Sequence, residues 1–242
     1  MHPTSTTAAD GALPLASQID HLVVVAASLD EGVQWCEAVL GITPGPGGEH
    51  ALMGTHNRLL TLASPAFARA YLEIIAIHPG ARNARPISAK RWFDMDNPEM
   101  QLRLEQSGPQ LAHFVARTAQ APAGVRALAG LGLERGDIIE ASRMTHHGLL
   151  KWKITVREDG QRLYFGLLPT LIEWGKVHPA DTMAPSRVTL QSLQAHHPRP
   201  EALRAAYEAI GLAGVDVAPG PPNLIATLQT PHGIVVLESK GL

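Results

Sequence analysis

Hydrophobic and polar positions follow one plan three times along the chain. In residues 20–42 a β-branched run, DHLVVV, precedes a segment in which apolar residues recur at helical spacing. Ser28 or Asp30 is placed to cap this helix, and a glycine ends it. Residues 112–133 and 187–212 repeat the same order of strand, helix and glycine stop. The pattern therefore indicates an internal structural repeat.

Strand-like runs follow each predicted helix. They are NRLLTL and AYLEIIAI after the first, DIIEASRMT, LLKWKITV and TLIEWG after the second, and LIATLQT and IVVLES after the third. The repeating unit is therefore a strand, a helix and about three strands. The predicted segments are a flexible N-terminal arm (1–18), a first βαβββ unit (19–80), a connector (81–109), a second unit (110–176), a linker (177–186) and a third βαβββ-like unit (187–242). The connector and linker are polar and contain proline, and His146 and His147 are expected in a solvated hairpin turn.

The composition narrows the class of protein. The 242 residues are 45% hydrophobic, which is enough for a sizeable core in one or two domains. Twenty basic and 22 acidic residues, without a cluster of like charge, indicate neither a nucleic-acid interface nor a membrane-surface patch. A single cysteine excludes a disulfide within the chain. The N-terminal residues lack the pattern of a signal peptide and no run is long enough to span a bilayer, so we expect a cytoplasmic protein.

Histidine and glutamate occupy equivalent places in the first two units. His21 and His113 begin the first strand of each unit, whereas Glu73 and Glu173 lie in the last strands. A lone carboxylate such as Glu73 in an apolar strand is costly to bury unless a cation meets it. Arg58 is one candidate, which would make a structural salt bridge. An isolated histidine at a strand entrance is more often a core residue, but the matched pair favours a functional site.

The tandem units resemble the vicinal oxygen chelate superfamily. The segments IDHLVVVAASLDEGVQWCEAVLGI, GTHNRLLTL, YLEIIAI and LLPTLIEWGKVHPAD are similar to its glyoxalase-like domain group. The resemblance implies an α+β fold in which the tandem units form a cup-shaped, strongly curved mixed sheet. It also implies a divalent metal in the cup, Zn, Ni, Mn or Fe, bound by His21, Glu73, His113 and Glu173. Some superfamily members bind ligands without a metal.

This resemblance implies a function as well. A metal-dependent enzyme of lyase or isomerase type would act on a small substrate with vicinal oxygens through an enediolate-like intermediate, with Glu173 or Glu73 as the catalytic base. Two alternatives stay open. One is a metal-free protein that sequesters small molecules, and the other is an Fe(II) extradiol dioxygenase with two histidines and one glutamate as ligands.

Further residues are expected around the substrate. The resemblance places His56, Asn57 and Arg58 on the wall of the cup, although their segment also fits an ordinary join between a loop and a strand. Trp152 is expected either in the core or in the cup wall. The third unit would have an uncovered sheet, so we expect it to pack against the first two units or against a second subunit in a homodimer.

Overall fold

The computed structural model describes residues 14–145 and 148–242, so most of the predicted N-terminal arm and both histidines of the predicted turn, His146 and His147, lie outside the described residues. In chain order the elements are β1 (Ser17–Val25), α1 (Leu29–Leu40), β2 (Glu49–His50), β3 (Thr55–Thr61), β4 (Tyr71–Ile77), α2 (Pro98–Ser107), β5 (Gln110–Thr118), α3 (Ala121–Ala129), β6 (Asp137–Thr145), β7 (Gly148–Val156), β8 (Thr170–Trp174), β9 (Thr189–His197), α4 (Pro200–Ala209), β10 (Asp216–Pro219), β11 (Asn223–Thr230) and β12 (Gly233–Glu238). Two short 3-10 helices lie at Leu163–Gly166 and Pro179–Asp181.

The strands form two sheets. The first two units share a curled eight-stranded half-barrel in the order β2-β3-β4-β1-β5-β8-β7-β6, and the third unit forms a four-stranded sheet, β10-β9-β11-β12. The two halves of the larger sheet join where β1 runs antiparallel to β5, with Val23 opposite His113. The predicted α+β fold with a strongly curved mixed sheet is confirmed.

Local sequence signals explain the first helix. The Ser28 side chain accepts a hydrogen bond from the backbone N–H of Glu31 at 3.2 Å, as a helix cap should. At the other end Gly41 has a φ of 70°, a left-handed conformation that glycine adopts without strain, and its N–H donates to the carbonyl of Glu37. Cys36 and Leu40 are buried on the face that packs against the sheet.

The outer face of the half-barrel is covered by helix α1 and by the third unit. Leu22 and Val24 of β1 point to this side, because alternate residues of a strand share a face. They belong to the same apolar core as Leu193 and Leu228 of the third unit. The Tyr207 hydroxyl donates to the backbone carbonyl of Leu167 at 2.6 Å. The third unit thus packs against the first two units within one chain, which is one of the two arrangements expected for its sheet.

The inner face of the cup is filled by the connector. Its apolar side chains are buried against the inward-facing residues of β1, β4 and β5, and they are Trp92, Phe93, Met95, Met100 and Leu104. Helix α2, which the sequence analysis did not predict, supplies the last two of them. The connector is therefore a core element, and it reduces the cup to small cavities. None of the helices in the described ranges combines the length and apolar composition of a membrane span.

Candidate active site

A buried hydrogen bond and a buried ion-pair contact link three side chains at the floor of the cup. Asp20 Oδ1 lies 2.7 Å from Nδ1 of His21, and Nε2 of His21 lies 3.5 Å from Oε2 of Glu73. Strand β1 carries Asp20 and His21, and its parallel neighbour β4 carries Glu73. The side chain of Asp20 is fully buried, and those of His21 and Glu73 are nearly so.

Glu73 is met by an imidazole and an amide. The Asn57 Nδ2 group donates to Oε1 of Glu73 at 2.6 Å, while His21 faces the other carboxylate oxygen. Arg58, the alternative partner that the sequence left open, is exposed, because it follows Asn57 in β3 and points to the opposite face. The carboxylate is therefore stabilised inside the cup and takes no part in a salt bridge with arginine.

The pKa values of His21 and Glu73 are both strongly shifted. Burial opposes the charge on His21, but hydrogen bonds to Asp20 and Glu73 outweigh it and raise the pKa of His21 to about 9. Burial likewise opposes the charge on Glu73, yet the hydrogen bond and positive charge of His21 lower the pKa of Glu73 to about 2. At neutral pH the site therefore holds an imidazolium next to a carboxylate.

Asp20 orients this pair from behind. Its Oδ2 accepts from Nε1 of Trp174 at 3.0 Å and lies 2.8 Å from Nε2 of His178. Burial opposes its ionisation, but hydrogen bonds from His178 and His21 hold the pKa of Asp20 well below its usual range. The ring of Tyr71 stacks on His21 with centroids 4.6 Å apart. These contacts leave the His21 ring one orientation, with Nε2 directed towards Glu73.

His50 completes the polar floor as a neutral imidazole. Its Nε2 lies 3.4 Å from Nδ2 of Asn57 and 3.9 Å from Oε1 of Glu73, and its Nδ1 lies 3.1 Å from the Thr55 hydroxyl. Because Asn57 donates to Nε2, the proton of the ring is on Nδ1. Burial, which outweighs the attraction of Glu73, lowers the pKa of His50 to about 4. His50 therefore adds a hydrogen-bond acceptor to the site and carries no charge.

The polar floor opens into an inner cavity of about 40 Å³. Apolar side chains form its walls, and they are Leu59, Trp92, Phe93, Leu150, Trp152, Ile154, Ile172 and Trp174. A volume of this size accommodates roughly three water-sized groups. The inner cavity therefore suits the reacting end of a small molecule.

A much larger cleft of about 930 Å³ adjoins the inner cavity. Leu59, Arg143, Leu150 and Pro179 line both spaces, so they form the threshold between them. Within the described residues Arg143 makes no hydrogen bond or ion pair, and its Nη1 lies so close to Gly48 that a side chain there would clash. This partly exposed guanidinium, which pairs with no carboxylate of residues 14–145 and 148–242, lies at the entrance to the cavity.

His113 lies on the inner face but is engaged elsewhere. Its Nδ1 donates to the Gly166 carbonyl at 2.8 Å, and its Nε2 accepts from the backbone N–H of Thr170 at 3.1 Å. Burial first, and the positive charge of Arg135 second, hold its pKa well below the usual range. Both ring nitrogens therefore have protein partners, and His113 does not line the inner cavity.

Glu173 lies on the opposite face of the sheet. Its neighbours Ile172 and Trp174 line the inner cavity, so the side chain of Glu173 points outward. Its Oε2 accepts from the first N–H of helix α3, at Ala121, at 3.0 Å, and its Oε1 lies 3.3 Å from Nζ of Lys153. A carboxylate at a helix N-terminus is stabilising, and in this position Glu173 does not line the inner cavity.

The expected substrate-binding residues lie on two different faces of the sheet, because side chains alternate along a strand. Asn57 and Trp152 line the inner cavity together with His21 and Glu73. His56 and Arg58 point to the other face of β3, where the ring of His56 packs edge-on against His78. The structure therefore brings together four of the eight predicted site residues.

The four-residue metal site is not assembled, because His113 and Glu173 are held away from His21 and Glu73. His50 supplies another nitrogen, but the Asn57 amino group lies between His50 and Glu73, and Asn57 Oδ1 is fixed by the backbone N–H of Gly48 at 2.7 Å. A cation placed between His50 and Glu73 would therefore contact the N–H groups of the Asn57 side chain, which repel it. Across residues 14–145 and 148–242, no three His, Cys, Asp or Glu side chains are arranged to bind a metal.

Several residues of the site were not predicted from the sequence. Asp20 directly precedes His21, and this adjacency was its signal. Trp92 and Phe93 form an aromatic pair in an otherwise polar connector, which is a signature of a buried turn. His50 and Arg143 carry no local signal, since a two-residue strand and an outer hairpin place them at the cavity.

Comparisons with known proteins agree with this architecture. The profile described as a glyoxalase-like domain matches residues 19–211. A hypothetical protein from Staphylococcus aureus has a similar structure, with a TM-score of 0.57 and 13% identity over 93% of this chain and 85% of that chain.

Two enzyme structures match with lower scores. A variant of methylmalonyl-CoA epimerase from Streptomyces coelicolor, in complex with 2-nitronate-propionyl-CoA, matches with a TM-score of 0.40 and 17% identity over 68% of this chain and 98% of that chain. A mutant of 4-hydroxymandelate synthase from the same organism matches with a TM-score of 0.43 and 12% identity over 93% and 63%. No match was found among curated proteins.

Proposed function

This chain belongs to the glyoxalase-like domain family of the vicinal oxygen chelate superfamily, and we propose that it is an enzyme of lyase or isomerase type that removes a proton beside a carbonyl group of a small substrate. Glu73 acts as the base. The observation that supports this role is a carboxylate buried at an apolar cavity between Asn57 and His21. Among the described residues, it is the carboxylate that lines the inner cavity.

Each group has a defined part in the proton transfer. Glu73 takes the proton from the carbon, and the electron pair of the broken C–H bond moves towards the carbonyl, so negative charge develops on its oxygen. His21 is protonated, and its Nε2–H faces Glu73. When Glu73 takes the proton and becomes neutral, this N–H can donate a hydrogen bond to the negatively charged substrate oxygen instead. Asp20 keeps the imidazole charged and oriented. The enediolate-like intermediate then collapses by reprotonation or by loss of a leaving group.

The cavity and its entrance indicate the class of substrate. A cavity of about 40 Å³ accommodates a carbonyl and a neighbouring oxygen but not a large molecule, so the rest of the substrate would lie in the adjoining cleft. Arg143 at the threshold can bind a carboxylate or phosphate with two parallel hydrogen bonds. We therefore expect a small anionic compound with vicinal oxygens.

The test is exchange of carbon-bound hydrogen in D2O, followed by proton NMR. A panel of 2-oxo acids, 2-hydroxy aldehydes and acyl thioesters would be incubated with the protein without added metal. Glu73→Gln should reduce the exchange rate of an active compound by about 10²–10⁴, which is the usual contribution of a general base. Glu173→Gln is the matched control, and we expect it to keep most of the activity.

Two results would contradict the proposal. If Glu173→Gln abolished exchange and Glu73→Gln preserved it, the base would be the other glutamate. If compounds bound in the cleft but no exchange occurred with or without added Zn, Ni, Mn or Fe, the protein would be a sequestering protein, which was the metal-free alternative.

A further inference from the structure

Arg135 is a buried cation that its neighbours do not neutralise. The residue is 2% exposed, and its Nη2 donates to the Thr170 hydroxyl at 2.6 Å. Its Nε and Nη1 atoms have no hydrogen-bond partner. In the described part of the chain no carboxylate lies within ion-pair distance of its guanidinium. Burial is the main cause that lowers the pKa of Arg135, to about 10, so the side chain stays charged at neutral pH.

A small cavity lies beside this guanidinium. Its volume is about 10 Å³, and its wall includes Arg135, Trp92, His113, Thr155 and Thr170. The indole Nε1 of Trp92 is also buried without a partner. Two residues of the wall thus have three buried donor nitrogens without a partner, and the described residues hold only one other unpaired buried side-chain nitrogen or oxygen, in His56. A cavity whose wall includes residues with unused N–H donors favours a ligand that only accepts hydrogen bonds.

The remaining charges of the wall are balanced. Arg157 pairs with Asp159, with Nη2 and Oδ2 2.5 Å apart, and Arg162 pairs with Asp94, with Nε and Oδ2 2.9 Å apart. The His113 ring is neutral, because its Nε2 accepts from Thr170. The net charge around the cavity is therefore one positive charge, carried by Arg135.

We propose that this cavity is a structural anion site that binds one monovalent halide, with chloride as the expected ion. A volume of about 10 Å³ admits about one water-sized species, which excludes a phosphate or the carboxylate of a substrate. A water molecule would satisfy N–H donors but would leave the charge of Arg135 uncompensated. A halide does both, since it accepts from several donors and carries one negative charge.

The site is distinct from the inner cavity of the proposed active site. Trp92 and Phe93 are the two residues that line both spaces, and the other wall residues of the two cavities differ. Phe93 and Asp94 have φ values of 59° and 58°, a left-handed conformation that costs energy in residues other than glycine. A bound anion would help to hold this strained turn, and thereby the aromatic wall of the active site.

Anomalous diffraction from crystals grown in sodium bromide tests the proposal directly. We expect a bromide peak in this cavity, within hydrogen-bond distance of the Arg135 guanidinium. In parallel, the melting temperature would be measured at constant ionic strength while sodium chloride replaces sodium gluconate. It should rise by several degrees with saturation in chloride. Arg135→Met should lose the chloride-dependent rise, whereas Arg58→Met, which removes an exposed arginine, should retain it.

Trp92→Phe provides a second variant if Arg135→Met does not fold. It removes one N–H donor but keeps an aromatic ring, and we expect the chloride concentration for half of the stabilisation to increase about tenfold. If no bromide peak is found in the cavity of the wild type and its melting temperature is the same in chloride and gluconate, the cavity holds water and the proposal is overturned. A bromide peak that appears only on the surface of the protein would also overturn the proposal.

Discussion

The protonated state of His21 should make the stability of the protein depend on pH. In the folded protein its pKa is raised from 6.5 to about 9. A tenfold change in proton affinity corresponds to about 1.4 kcal/mol, so the imidazolium contributes on the order of 3 kcal/mol to the free energy of unfolding. Because the folded-state pKa is the higher one, this contribution is fully present below pH 6.5. It is lost as the pH rises through about 9.

Asp20→Asn isolates this contribution. The substitution removes the carboxylate partner of His21, so the pKa of His21 should fall towards 6.5. Urea denaturation at pH 6.0 and pH 9.5 measures the free energy of unfolding of both proteins. We expect the wild type to lose roughly 2–3 kcal/mol between these pH values through His21, and the variant to lose much less.

Loss of the hydrogen bonds from Trp174 and His178 will destabilise the variant at every pH. This pH-independent destabilisation cancels when the difference in free energy of unfolding between pH 6.0 and pH 9.5 is compared for the two proteins. NMR titration of the His21 ring provides an independent measurement. A wild-type pKa of 6.5 or below, or equal pH dependence in the two proteins, would refute the assignment of an imidazolium at this site.

Three further substitutions test the geometry of the site. Asn57→Asp replaces the amide that separates His50 from Glu73 by a carboxylate, and calorimetric titration should detect binding of Zn or Mn at least tenfold tighter than in the wild type. Arg143→Ala should raise KM for an anionic substrate about tenfold or more and change kcat little, because the guanidinium lies at the entrance; an unchanged KM would refute this. Glu173→Ala removes the carboxylate at the start of helix α3 and should lower stability by about 1 kcal/mol in thermal denaturation without a large loss of exchange activity.

Sequence periodicity was sufficient for the architecture because each unit carries strong local signals. Ser28 and Gly41 bound the first helix as expected, and the β-branched runs became strands. Period-two alternation also explains why His21 and Glu73 share the inner face. The need to cover the sheet of the third unit predicted packing against the first two units or against a second subunit, and the structure shows the first arrangement.

The candidate site was less predictable because equivalence between the two halves holds for strand order but not for side-chain contacts. His113 occupies the position expected from His21, yet Gly166 and Thr170 bind both of its nitrogens. Glu173 was assigned to the inner face, but its strand presents Ile172 and Trp174 there. His50 and Arg143 reach the cavity through long-range packing, for which the sequence contains no local signal.

The occupation of the cup by one connecting segment affects how this protein can diversify. Two adjacent aromatic residues in a loop, Trp92 and Phe93, form part of the wall of the inner cavity, whereas the strands carry His21, Asn57 and Glu73. Relatives could therefore acquire new substrates by exchanging a few loop positions, while the costly framework of paired strands stays intact.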